Sequence, residues 1–142
     1  MLVSRFLSGL LEATRRLLPP ELTLQARQQG GLIKFFDADP AIHFELWLHR
    51  ARKRVELGLH FETPDPNRNA RLLAFVIDEL PFLKAALGES LEAEPWDRGW
   101  TRLYLTRPLA RLGPQEQAEL AAAFAEFIGV LEPLRQDACS SC

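Results

Sequence analysis

At 142 residues the chain has the length of one domain, and a domain of that size buries roughly two-thirds of its unfolded surface without disulfide or metal staples. Its composition, 47% hydrophobic and 25% charged, excludes a disordered chain, and a net charge of −2 excludes a globally basic binder of nucleic acid or acidic membrane. Fourteen of the 17 basic residues are arginine, as in proteins from GC-rich bacterial genomes.

In chain order, Leu2, Val3, Phe6, Leu7, Leu10, Leu11, Leu17 and Leu18 recur at threes and fours, which predicts an amphipathic helix over about 4–18 that Pro19 and Pro20 stop. Arg5, Glu12, Arg15 and Arg16 interrupt every apolar run long enough for a signal core or a membrane span, so a cytoplasmic protein with no membrane partner is expected. Residues 21–29 are polar and fit a short strand or an irregular connection. Leu32 to Phe36 reads as a strand, and Asp37 to Pro40 as the turn after it.

The stretch from Ala41 to Glu62 is the centre of the chain, two runs of strict alternation around a basic knot from Arg50 to Arg54. It predicts an antiparallel hairpin with Ile42, Phe44, Leu46, Leu48, Val55, Leu57, Leu59 and Phe61 on one face. With Arg52 and Lys53 as the turn, Leu48 falls opposite Leu57. On the other face His49 then meets Glu56, Trp47 meets Gly58, Glu45 meets His60 and His43 meets Glu62. All three histidines thus share one face, each across from a glutamate.

That face has two readings. Imidazole and carboxylate are ordinary ligands of zinc, manganese or iron, which makes His43, Glu45, His60 and Glu62 a candidate metal or acid/base set. Ligands must converge to about 2.0–2.2 Å from the ion, whereas residues two apart on a strand lie about 6.6 Å apart. The alternative is a solvated face whose opposite charges pair across the strands.

Beyond the hairpin, Thr63 to Asn69 is a loop in which Asn67 or Asn69 can cap a helix running to Leu87 and closed by Gly88, with Pro81 breaking or kinking it near Leu80. Residues 89–97 read as a charged connection and residues 100–107 as a strand. Trp100, Arg102, Tyr104 and Thr106 would extend the Trp47 face if that strand joins the same sheet. Gly113-Pro114 opens a last helix with Leu120, Phe124, Phe127, Ile128, Leu131 and Leu134 as its stripe.

The expected fold is therefore α+β, in the order α-β-β-β-α-β-α. It has an antiparallel sheet of about four strands, a three-stranded meander plus one, with helices packed on one face. Residues 1–135 form a single domain and residues 136–142 a flexible tail carrying Cys139 and Cys142. No helix N-terminus stands behind the first cysteine to lower its pKa, so this CxxC does not read as a redox pair.

The run Arg54 to Glu62, the Asn-rich helix start, Leu87-Gly88, the Leu91 to Trp96 linker and the strand from Trp100 resemble an uncharacterised prokaryotic domain that often follows a restriction-endonuclease-like domain. The resemblance implies an accessory or assembly role near DNA-processing systems and carries no catalytic residues. A nuclease site of that type needs a lysine two residues after an acidic one, and Trp47 and Gly58 stand in that place after Glu45 and Glu56. There is no glycine-rich phosphate loop, no Gly-x-Ser-x-Gly elbow and no His-Glu-x-x-His helix, and no cofactor is called for.

The sequence therefore reads as a non-catalytic binding or adaptor domain. Its expected contacts are Trp47, Arg52, Lys53, Arg54, Arg102 and Tyr104, with a protein as the first expected partner and nucleic acid at the hairpin tip as the second. One alternative is a small acidic dimeric chaperone, because type III secretion chaperones have a similar order of elements, though normally five strands. The other is a metal-dependent enzyme using the His/Glu face.

Overall fold

The computed structural model describes residues 1–141. Helix α1 (Val3–Leu17) is followed by four consecutive antiparallel strands, β1 (Gln25–Gln29), β2 (Leu32–Phe36), β3 (Ile42–His49) and β4 (Arg54–Phe61). Two helices, α2 (Pro66–Ile77) and α3 (Leu80–Leu87), lead to β5 (Glu92–Pro95), β6 (Thr101–Pro108) and the long α4 (Pro114–Ser141). The six strands form one sheet in the order β1-β2-β3-β4-β6-β5.

The class is as expected, α+β with an antiparallel sheet and packed helices, but the sheet has six strands, not four. One extra strand is β1, where the residues themselves allowed a strand. The other, β5, lies inside the segment read as a charged connection. Its residues, Glu-Ala-Glu-Pro, have little strand propensity of their own. It is held from outside: Arg102 donates to Glu94 at 2.6 Å and the Tyr104 hydroxyl donates to Glu92 at 2.8 Å, both across the β5–β6 pair.

The apolar face of the sheet carries Ile33, Phe35, Phe44, Leu46, Val55, Leu57, Leu59 and Leu103, all nearly or wholly buried. Against it lie Phe6, Leu7 and Leu10 of α1, Leu72 and Val76 of α2, and Phe124, Phe127, Ile128 and Leu131 of α4. Phe35 meets Phe124, and Phe44 meets Phe127, edge to face at 5.8 and 6.4 Å.

The central hairpin keeps its predicted faces but not its predicted register. Leu48 lies opposite Val55, Trp47 opposite Glu56, Glu45 opposite Gly58 and His43 opposite His60. The turn is four residues long, a single 3-10 turn over Arg50–Arg52 closed by Lys53 in the left-handed region at φ 51°. A two-residue slip preserves every face because strand side chains repeat with period two, so alternation cannot detect it.

The segment after the hairpin breaks where Pro81 predicts, since α2 ends at Ile77 and α3 starts at Leu80. Its cap is neither asparagine: the Asp65 side chain accepts from the Asn67 backbone N–H, with Pro66 in the first turn. Asn69 is buried instead, its Oδ1 accepting from the Thr63 N–H and hydroxyl and its Nδ2 donating to the Thr63 and Gly99 carbonyls. It thereby ties the end of β4 to the start of β6. Asn69→Ala strands these buried groups and is expected to cost about 2 kcal/mol, read as a lower urea midpoint at unchanged slope.

The expected tail from residue 136 is part of α4 through Ser141, with Ala138 buried. Pro133 lies inside that helix, and Glu132 and Arg135 pair on its buried side, Arg135 also reaching Asp37 at 3.5 Å. Cys139 lies on α4 near Arg135. Cys142, the other half of the CxxC, is outside the described residues.

Candidate functional site

The outer face of the sheet is where the sequence placed both candidate sites, and around His43 and His60 it is not a solvated face. His43 and His60 are 0% exposed, Glu56 1% and Glu45 5%. Because His43 sits opposite His60, the two imidazoles stack, with centroids 5.3 Å apart and planes 15° from parallel. Of the expected cross-strand pairs only Glu45 with His60 remains, at 3.7 Å, and the shorter contacts of His43 and His60 run along the strands, while His49 lies opposite Arg54. His43 Nε2 is 3.0 Å from Glu45, while His60 is 2.8 Å from Glu56 through Nε2 and 3.0 Å from Glu62 through Nδ1.

Gly58 makes room for this arrangement. A Cβ there would lie 2.8 Å from His60 Nε2 and 3.0 Å from Glu56 Oε2. The ring over the bare backbone is therefore His60, not Trp47.

A second layer holds the first. The Pro40 carbonyl, 3.0 Å from His43 Nδ1, can only accept, so Nδ1 carries a proton and Nε2 is turned toward Glu45. Arg102 donates to Glu56 at 2.5 Å and to Glu94 at 2.6 Å, and its guanidinium stacks on Tyr104 and Trp96. Trp96 also sets its ring edge-on to His60 at 5.6 Å.

The electrostatics follow from this packing. Burial alone would hold His60 down, but its hydrogen bonds to Glu56 and Glu62 and the charge of Glu45 outweigh it and push the pKa up to about 9. Burial pushes Glu45 up, and the His43 hydrogen bond with the nearby His60 charge reverses this, leaving its pKa below the ordinary carboxylate value. For Arg102 the cost of burial is likewise overcome by Glu94 and Glu56, and its pKa is raised. Tyr104 is pushed up to about 12 by partial burial, by its hydrogen bond to Glu92 and by the charge of Glu94.

Two sites emerge. The metal candidates His43, Glu45, His60 and Glu62 are brought together, one donor atom from each lying within 4.8 Å of all the others. Five of the six expected contact residues, Trp47, Arg52, Arg54, Arg102 and Tyr104, line one cleft of about 340 Å³. Lys53 is not among them and lies instead by the loop at Leu109–Leu112. Arg52 and Arg54 are exposed, the latter donating to the Thr106 hydroxyl at 2.7 Å, and the Trp47 ring packs against His49 at 4.0 Å, tilted by 45°.

Trp96 and Glu56 also line the cleft, and sequence reasoning missed both as part of it. Trp96 follows β5, a strand that its own residues do not announce. Its indole Nε1 is buried with no hydrogen-bond partner among the described residues.

No protein-family model matches this chain, and no curated protein does. Among solved structures it is similar to a chain in the structure of the HopA1–SchA chaperone–effector complex. That match has 22% identity and a TM-score of 0.44, and it covers 92% of this chain and 94% of the other.

Proposed function

We propose that this chain is a non-catalytic protein-binding domain whose outer sheet face seats an acidic segment of a partner protein. The observation that carries this is the single cleft in which Trp47, Trp96 and Tyr104 stand with Arg52 and Arg54. Tryptophan, tyrosine and arginine are the side chains that dominate binding energy at protein interfaces, and a cleft of this volume takes a few side chains.

The charge of the occupant follows from which arginines are already paired. Arg102 is committed to Glu56 and Glu94, so it adds no free charge. Arg52 and Arg54 remain exposed at the rim, beside Arg50 and Lys53 of the turn. An occupant with carboxylates along the turn and an apolar or aromatic side chain between Trp47 and Tyr104 complements both features.

A secretion-type chaperone is the second reading, with a secreted client in the same cleft. It is supported by the order of elements, a helix, consecutive antiparallel strands, helices, strands and a last helix, although the sheet has six strands where five are normal in type III secretion chaperones.

The test uses two fluorescein-labelled peptides, one alternating glutamate with leucine and one alternating lysine with leucine, and a labelled DNA duplex, read by anisotropy. The acidic peptide is expected to bind, more weakly as salt rises. Trp47→Ala, and separately Arg52→Glu with Arg54→Glu, should each weaken it at least tenfold, about 1.4 kcal/mol, with an unchanged circular dichroism spectrum. Equal binding of both peptides, or variants that bind like the parent, would refute the cleft. A preference for the duplex that the double charge reversal abolishes would assign the turn to nucleic acid instead.

A further inference from the structure

We propose that His43, Glu45, His60 and Glu62 form a binding site for one divalent transition-metal ion of the zinc class, clamping β3 to β4. The inference does not depend on the cleft, whose aromatic and arginine side chains are not among the ligands.

The donor set is two imidazoles and two carboxylates, which suits zinc and its neighbours better than calcium or magnesium. Around a tetrahedral ion with bonds of about 2.1 Å the ligand atoms stand about 3.4 Å apart. Two separations within the set are already close to that value: His43 Nε2 to Glu45 Oε1 and His60 Nδ1 to Glu62 Oε2, each at 3.0 Å. The whole set spans up to 4.8 Å, so loading contracts it. Glu62, at the end of β4 and less buried than the other three, is the ligand with room to move.

The surroundings are those of a ligand set already oriented. The Pro40 carbonyl fixes the His43 ring from Nδ1 and leaves Nε2 on the inner side. With His60 coordinating through Nδ1, on the side of Glu62, its Nε2 keeps Glu56 as the acceptor for its proton. Glu56 is anchored by Arg102 and serves as one of these outer acceptors. Three largely buried carboxylates, Glu45, Glu56 and Glu62, gather here around two imidazoles and the Arg102 guanidinium, a concentration of negative charge that a dication offsets. Four protein ligands and near-complete burial make this a closed, structural site rather than one with a position open for substrate.

The test is a titration of the whole, chelator-stripped protein with zinc by calorimetry and with cobalt by visible absorption. One equivalent of each should bind, the cobalt form should show the intense bands of a four-coordinate ion, and zinc should raise the melting temperature. His43→Ala should weaken zinc binding at least a hundredfold and Glu62→Gln, at the least buried ligand, at least tenfold. Melting curves in chelator confirm that each variant is folded. Cys139→Ser with Cys142→Ser should bind like the parent. Folded parent protein that takes up neither ion would overturn the proposal, as would binding lost with the cysteines or indifferent to Glu62→Gln.

Discussion

Glu56→Ala is expected to destabilise the protein by about 3–5 kcal/mol, the cost of breaking a buried ion pair by removing one partner. Glu56 is 1% exposed, accepts from Arg102 at 2.5 Å and lies 2.8 Å from His60 Nε2. Without it, Arg102 keeps Glu94, and His60 keeps Glu62 and the more distant Glu45, but each loses its nearest carboxylate in a largely buried place. Glu56→Gln, which retains the shape and an acceptor oxygen, should lose less. In a double-mutant cycle Arg102→Ala should couple strongly to Glu56→Ala. The measurement is the urea midpoint at constant slope. A loss below about 1 kcal/mol, the range of an exposed cross-strand pair, would show that this face behaves as a solvated one.

The second large effect is a fall in stability of the metal-free protein between pH 6.5 and about pH 9, observed in the presence of chelator. His60 ordinarily titrates at 6.5 and in the fold at about 9, so between these values the folded state holds a proton that the unfolded state has released. Its contribution is complete below pH 6.5, shrinks as pH rises, and is gone above about pH 9. Over that interval the loss amounts to about 3 kcal/mol. The groups facing His60 are Glu56 and Glu62 on its own strand, His43 and Glu45 on β3, Arg102 on β6, and Trp96. Glu45 works in the opposite direction: its lowered pKa contributes stability above 4.5 that is lost as the solution becomes more acidic. Stability should therefore peak between pH 4.5 and 6.5, and chemical denaturation at a series of pH values reads it. In His60→Gln the alkaline fall should vanish; if it persists unchanged, His60 is not its source.

How far the residues alone reach can be judged from the central hairpin. Alternation from Ile42 to Phe61 placed its two faces correctly and put all three histidines together. It was blind to the two-residue shift produced by the left-handed Lys53, and so it set His43 against Glu62 where His60 stands. The four metal candidates converge all the same, because the shift brings the histidines side by side and leaves each within reach of a glutamate two residues along its own strand. The burial of this face was not legible. Trp96, Arg102 and β5 build up its far side, and they lie 30 or more residues further along the chain.

What the sequence by itself determined are the properties that repeat locally: helix stripes, strand alternation, the breaks at Pro19 and Pro81, and the start of α4 at Pro114. These depend on the side-chain order within a few residues and on the backbone limits of proline. Only the tertiary structure decided that Glu92 to Pro95 is a strand, that Asn69 is a buried tie, that residues 136–141 are helix, and that His43, Glu45, Glu56 and His60 are closed to water. These rest on partners outside the segment itself, Arg102 and Tyr104 for β5, Gly99 for Asn69 and Asp37 for Arg135 in the last turns of α4. A buried charge is tolerated only where such partners arrive, and that is a property of the assembled fold, not of any one segment.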